Sequence, residues 1–122
     1  MVIPTLRYDD AKAAIDFLER AFGFERKAVH EDEHGTVFHS ELTHGSGMVM
    51  IGTRKGDDRF DTGRAVIYVV VPDPDAVHAG AVAAGATIAQ ELVDQDYGSR
   101  EFAAEDQEGN VWSFGTYDPF AT

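Results

Sequence analysis

The sequence predicts an α+β fold: two βαβββ modules, paired into curved mixed sheets that enclose a cleft. Three observations predict it. A strand, a helix and three short strands occur in that order twice along the 122 residues. Each helix opens at an aspartate and closes at a glycine. With 43% hydrophobic and 26% charged residues, the chain is too apolar for a disordered acidic tail, so its net charge of −12 belongs to a folded surface. Residues 1–122 read as a single domain, with module 1 at about 1–56 and module 2 at about 63–122.

Residues 2–8 read as the first strand. Asp9 and Asp10 then offer N-caps to a helix whose apolar stripe is Ala11, Ala14, Ile15, Leu18 and Phe22, and Gly23 ends it because glycine tolerates the left-handed conformation just past a helix. Three strands follow at 24–29, 37–42 and 48–51. An acidic loop (Glu31, Asp32, Glu33) and the turn 44–47 separate them. The second copy starts with the apolar run 65–71. Asp73 caps the next helix, Pro74 fits its first turn, and Val77, Gly80, Ala81 and Ala84 form the inward stripe before Gly85. Strands at 87–92, 100–104 and 111–116 complete it, and Asp57, Asp58 and Asp61 mark the linker between copies. One helix covers one face of a four-stranded sheet and leaves the other bare; pairing two such units turns the bare faces into a cleft.

Composition excludes several functions. There is no cysteine, hence no disulfide scaffold, thiol catalysis or thiolate metal site. Twenty-two acidic against 10 basic residues disfavour nucleic acid, whose phosphates would meet a repulsive field. No apolar run approaches the ~20 residues of a membrane span, and Met-Val-Ile-Pro-Thr lacks a basic n-region, so the expected location is cytoplasmic, away from membranes. No phosphate loop or nucleophile elbow is present.

Four segments in order carry a family resemblance: the helix with its Ala21-Phe-Gly-Phe24 ending, Ala81-Val-Ala-Ala-Gly-Ala-Thr87, Tyr97-Gly-Ser-Arg-Glu-Phe102 and Asp106-Gln-Glu-Gly-Asn-Val-Trp-Ser-Phe114. Together they resemble the vicinal oxygen chelate superfamily of glyoxalases, bleomycin resistance proteins and extradiol dioxygenases, built from paired βαβββ modules. The resemblance implies metal-ligand positions at Ile3, Met50, Val66 and Ser113, where the metal enzymes carry His and Glu. None of these side chains offers the imidazole or carboxylate that a divalent metal needs. The expectation is therefore no metal and no cofactor.

Strand alternation extends the same registration into a cleft lining of Ile3, Thr5, Met48, Met50, Val66, Tyr68, Val111 and Ser113, with Tyr97 and Arg100 in a loop beside it. Leu6, Val49, Ile51, Ile67, Val69, Trp112 and Phe114 then face the helices. An apolar lining with a few hydroxyls suits a small organic molecule, neutral or cationic. Arg100 has two readings, a clamp on a ligand's polar group or a neutraliser of acidic neighbours. His39 and Glu41 share a strand face and, with His44, form an alternative ligand set for a divalent metal or for acid–base chemistry; the competing reading is a solvated hairpin face. His78 reads as half-exposed and not catalytic.

The resulting expectation is a homodimeric small-molecule-binding protein, of the kind that confers antibiotic resistance by sequestration, independent of metal. The alternative is a metal-dependent enzyme, a glyoxalase- or isomerase-like lyase or a dioxygenase, using the displaced ligands. A third reading is a structural partner domain without ligand.

Overall fold

A computed structural model of the chain describes residues 1–121. It divides into two compact units, Met1–Gly63 and Arg64–Thr122.

The first unit runs β1 (Thr5–Tyr8), α1 (Ala11–Phe22), β2 (Glu25–Glu31), β3 (Val37–His44) and β4 (Gly47–Thr53). Its sheet has the order β1-β4-β3-β2, with β1 parallel to β4 (Leu6 opposite Ile51) and the remaining pairs antiparallel. The Asp10 carboxylate accepts from Ala13 N at 3.1 Å and satisfies one of the otherwise orphaned first-turn donors. At the other end Gly23 takes φ 78°, and its N–H donates to Glu19 O. The inward side of α1 is wide: Ala14, Ile15, Phe17, Leu18, Ala21 and Phe22 are all buried. They pack over Leu6, Tyr8, Val49 and Ile51, which are buried from the sheet below.

The second unit runs β5 (Val66–Val70), α2 (Pro74–Ala83), β6 (Thr87–Asp94), β7 (Arg100–Glu105) and β8 (Val111–Gly115), with sheet order β5-β8-β7-β6. It repeats the first topology strand for strand, including the parallel pair (Ile67 opposite Trp112). Asp73 caps α2 through Ala76 N, and Pro74 stands in its first turn. The helix ends at Ala83: Ala84 is a right-handed cap, and Gly85 just beyond it takes the positive φ, 82°.

Several boundaries differ from those expected. Residues 2–4 lie outside β1, and Glu31 belongs to β2 instead of the acidic loop. The turn expected over 44–47 tightens to Gly45-Ser46, because β3 and β4 remain paired as far as His44 and Gly47. The stripe expected on α2 shrinks, since only Pro74 and Ala81 are buried while Val77, Gly80 and Ala84 stay partly exposed. Two of the four edge strands carry register shifts, β2 between Arg26 and Ala28 and between His30 and Glu31, β6 between Ile88 and Gln90 and between Gln90 and Val93. The acidic segment after β4 is part of the first unit. Asp61 accepts from the backbone N–H groups of Lys55, Gly56 and Asp58 and from Arg7 Nη1 at 3.1 Å. Burial of that carboxylate works against ionisation, but the three N–H donors and the Arg7 guanidinium outweigh it and lower its pKa from 3.8 to about 2.

Candidate functional site

Strand alternation divides each sheet into a helix-covered and a bare face. On the covered faces Val49, Ile51, Trp112 and Phe114 are buried; Ile67 and Val69, on the outermost strand of the second unit, are only partly so. Between them along the same strands, Met48, Met50, Val66, Tyr68, Val111 and Ser113 point the opposite way and are all at least partly exposed, Val66 at 77%. Thr5 is exposed opposite Met50, and Ile3 lies before β1, partly exposed.

The bare face of the first unit is more polar than its methionines suggested. His39 and Glu41 project from β3, where a carboxylate can only accept, so His39 Nε2–H donates to Glu41 Oε2 at 3.1 Å. That hydrogen bond holds the Glu41 carboxyl below its usual range against the opposing effect of burial, with Lys27 adding to it. Opposite His39, His30 of β2 stacks on it at 5.9 Å. Arg7 stands on the same face of β1 as Thr5, and Phe60 lies under its guanidinium at 5.3 Å.

The alternative ligand set His39, Glu41 and His44 is not assembled. His44 is three positions beyond Glu41, an odd offset along the strand, so it points to the covered face, where Nε2–H donates to Phe22 O at 3.1 Å and the ring meets Phe24. Among the described residues no group of three His, Asp or Glu side chains is placed to hold a metal ion. The positions that the resemblance assigns to a metal, Ile3, Met50, Val66 and Ser113, bring two hydrocarbon chains, a thioether and a hydroxyl, which is not a donor set for a hard or borderline divalent cation.

The second unit places its polar groups differently. Glu101 lies opposite Gly115 and so on the bare face, yet it is only 9% exposed. Its Oε1 accepts from Tyr97 Oη at 2.8 Å and from Gln95 Nε2 at 3.4 Å. Tyr68 Oη donates to Tyr117 O at 2.7 Å, and the Tyr97 and Tyr117 rings meet edge to face at 6.2 Å. Both phenols are held above the usual tyrosine range, Tyr97 chiefly because its proton is bonded to Glu101, Tyr68 chiefly by burial. Gly115 is what allows the approach: a Cβ there would lie 2.5 Å from Tyr68 Oη and 2.7 Å from Glu101 Cγ. Sequence reasoning singled out Tyr68 and Tyr97 but missed Glu101, although Glu101 alternates with the covered Phe102 near the head of β7.

Arg100, expected beside the cleft, belongs to the covered side. Its guanidinium makes a two-pronged contact with Asp75 of α2, 2.9 Å to each oxygen, and a third bond to Asp94 at 3.2 Å. These bonds raise its pKa and decide between its two readings in favour of the neutraliser. His78 is partly exposed, 2.9 Å from Glu91 and edge-on to Phe102. The Asp106–Asn110 motif is architectural. Buried Asp106 accepts from the N–H groups of Glu108 and Asn110 and from Trp112 Nε1 at 3.1 Å, Gly109 supplies the positive φ of the turn, and Asn110 Oδ1 accepts from Ala65 N.

Known proteins match this architecture over nearly the whole chain. The chain is 31% identical over 121 residues to two uncharacterised mycobacterial proteins, Mb0911c of Mycobacterium bovis and Rv0887c of Mycobacterium tuberculosis, covering 92% of this chain and 80% and 71% of theirs. The crystal structure of TioX from Micromonospora sp. ML1 superimposes with a TM-score of 0.81 at 30% identity, over 100% of this chain and 99% of that one. A glyoxalase/bleomycin resistance protein/dioxygenase superfamily member from Sphaerobacter thermophilus shares the fold at 17% identity, with a TM-score of 0.74 over 93% of each chain. The family profile described as "Glyoxalase/Bleomycin resistance protein/Dioxygenase superfamily" spans residues 2–114. With two βαβββ units, an Asp106-anchored hairpin and relatives of this kind, the chain belongs to the glyoxalase/bleomycin resistance/dioxygenase superfamily.

Proposed function

We propose that the protein is a metal-independent small-molecule-binding member of this superfamily, a cytoplasmic homodimer that holds a mainly apolar or cationic organic compound against its bare sheet faces and sequesters a drug or metabolite. One observation carries the reading. The four positions where metal enzymes of the superfamily resemblance place His and Glu are here Ile3, Met50, Val66 and Ser113, side chains that contact carbon skeletons and bind no divalent cation well. Met48 and Met50 adapt to irregular ligand outlines, and Tyr68 offers a flat ring with a polar tip.

Thermal-shift screening of the purified protein against a panel of organic compounds tests this. A specific ligand at one hundred times its dissociation constant adds about 2.7 kcal/mol of stability and raises the melting temperature accordingly. Ser113→Glu, which sets a carboxylate on the bare face of the second sheet, is expected to weaken apolar hits. A panel that shifts nothing overturns the reading. Size-exclusion chromatography with light scattering tests the dimer.

A second reading rests on the His39–Glu41 pair, since a carboxylate that fixes an imidazole tautomer also serves acid–base or metal enzymes. It now lacks His44. Stoichiometric zinc, iron, nickel or manganese in the purified protein, lost on His39→Ala, would establish it in place of the first.

A further inference from the structure

We propose that the tyrosine-ringed Glu101 of the second sheet is a binding site for an organic cation, an alkylammonium or protonated amine carried on an aromatic skeleton, with Glu101 as counter-ion and Tyr97 and Tyr117 as its aromatic walls. The site deepens the small-molecule reading and rests on it.

Four observations converge. Glu101 lies on the bare face at 9% exposure, held there by two neutral donors and with no cationic side chain bonded to it among the described residues. Among the described residues both side-chain bonds to it, from Tyr97 and Gln95, land on Oε1, so Oε2 is the acceptor for an incoming N–H donor. Neither donor is charged; the arginine next in sequence, Arg100, is committed to Asp75 and Asp94 on the other face. The Tyr97 ring, bonded to the carboxylate, and the Tyr117 ring set against it are accessible, at 63% and 52%, in an edge-to-face pair, and an exposed tyrosine face attracts a cation within about 6 Å.

Gly115 marks the cluster as a built arrangement. Any side chain at 115 would force Tyr68 or Glu101 out of place, as the 2.5 and 2.7 Å approaches to a Cβ there require. The net charge of −12 favours the approach of a cation from solution.

The test uses 1-naphthylmethylammonium and its neutral counterpart 1-naphthylmethanol, titrated into the full chain by calorimetry and by 1H–15N correlation spectra. The expected result is cation binding that shifts the amides of Gly98, Glu101 and Gly115, an affinity at least tenfold above that of the alcohol, and loss of that preference in Glu101→Gln. Tyr97→Leu, at an exposed position, should weaken the cation severalfold while the dispersed spectrum certifies the fold. Equal binding of the two probes, or a preference that survives Glu101→Gln, overturns the cation site and leaves the small-molecule reading standing. Failure of both probes to shift these amides also overturns it, and the compound panel then judges the broader reading separately.

Discussion

The two units repeat one topology but divide their cores in opposite ways. In the first, the helix supplies most of the bulk: Ile15, Phe17, Leu18 and Phe22 descend from α1 onto Leu6, Tyr8, Val49 and Ile51, with Tyr8 the one aromatic among those four. In the second, the sheet supplies it: Phe102, Trp112 and Phe114 are fully buried, with Phe102 and Phe114 stacked at 5.1 Å, beneath a helix of alanine, glycine and valine that contributes only Pro74 and Ala81. The βαβββ topology thus fixes where a core lies, while its volume can come from either layer.

The sharpest way to break this contrast is Trp112→Ala. It removes the largest side chain of the second core and strips Asp106 of a buried donor, so the expected cost is about 3–5 kcal/mol or somewhat more, read by denaturant unfolding. A melting transition left unchanged would show that the final strand is registered one residue off. Next comes a matched pair of helix truncations. Leu18→Ala in α1 should cost about 2–5 kcal/mol, whereas Val82→Ala in α2, 53% exposed, should stay within about 0.5 kcal/mol. Comparable losses from the two would abolish the asymmetry between the two cores.

The smallest effect concerns acid. The Asp61 carboxyl has its pKa lowered from 3.8 to about 2 in the folded first unit, so the unfolded chain binds its proton more readily. Its contribution to stability is complete above about pH 4 and is lost as pH falls toward 2. Asp61→Asn should flatten the stability profile in that window. In the second unit the Asp75 carboxyl is lowered chiefly by its bonds to Arg100, which gives the same sign in the same direction of pH.

Much of the fold was legible because its signals are local. Asp10 and Asp73 cap, Gly23 and Gly85 end helices by their positive φ, and period-two alternation put Val49, Ile51, Trp112 and Phe114 on the buried sides. What failed to show depends on partners far along the chain. Arg100 pairs with Asp75, 25 residues away, and no local pattern distinguishes that from a ligand clamp. His44 was grouped with His39 and Glu41 by proximity, but its odd offset from them reverses its direction. Glu101 carries no local signal of its own; its pairing with Gly115, which brings Tyr68 alongside, is what sets it in an aromatic cluster. Arg7 was likewise passed over, because its partners Asp58 and Asp61 lie beyond β4.

The register shifts in β2 and β6 bear on how such sheets remain separate in a crowded solution. A strand that adds to a sheet margin needs an unbroken row of donors and acceptors, and each of these margins is interrupted twice. Glu25, Arg26, Lys27 and Glu31 on one, and Glu91 and Asp94 on the other, put charge where a fibril-forming neighbour would have to stack. An acidic protein whose sheets each leave a face bare is thereby protected, along these two borders, from growing into a larger sheet.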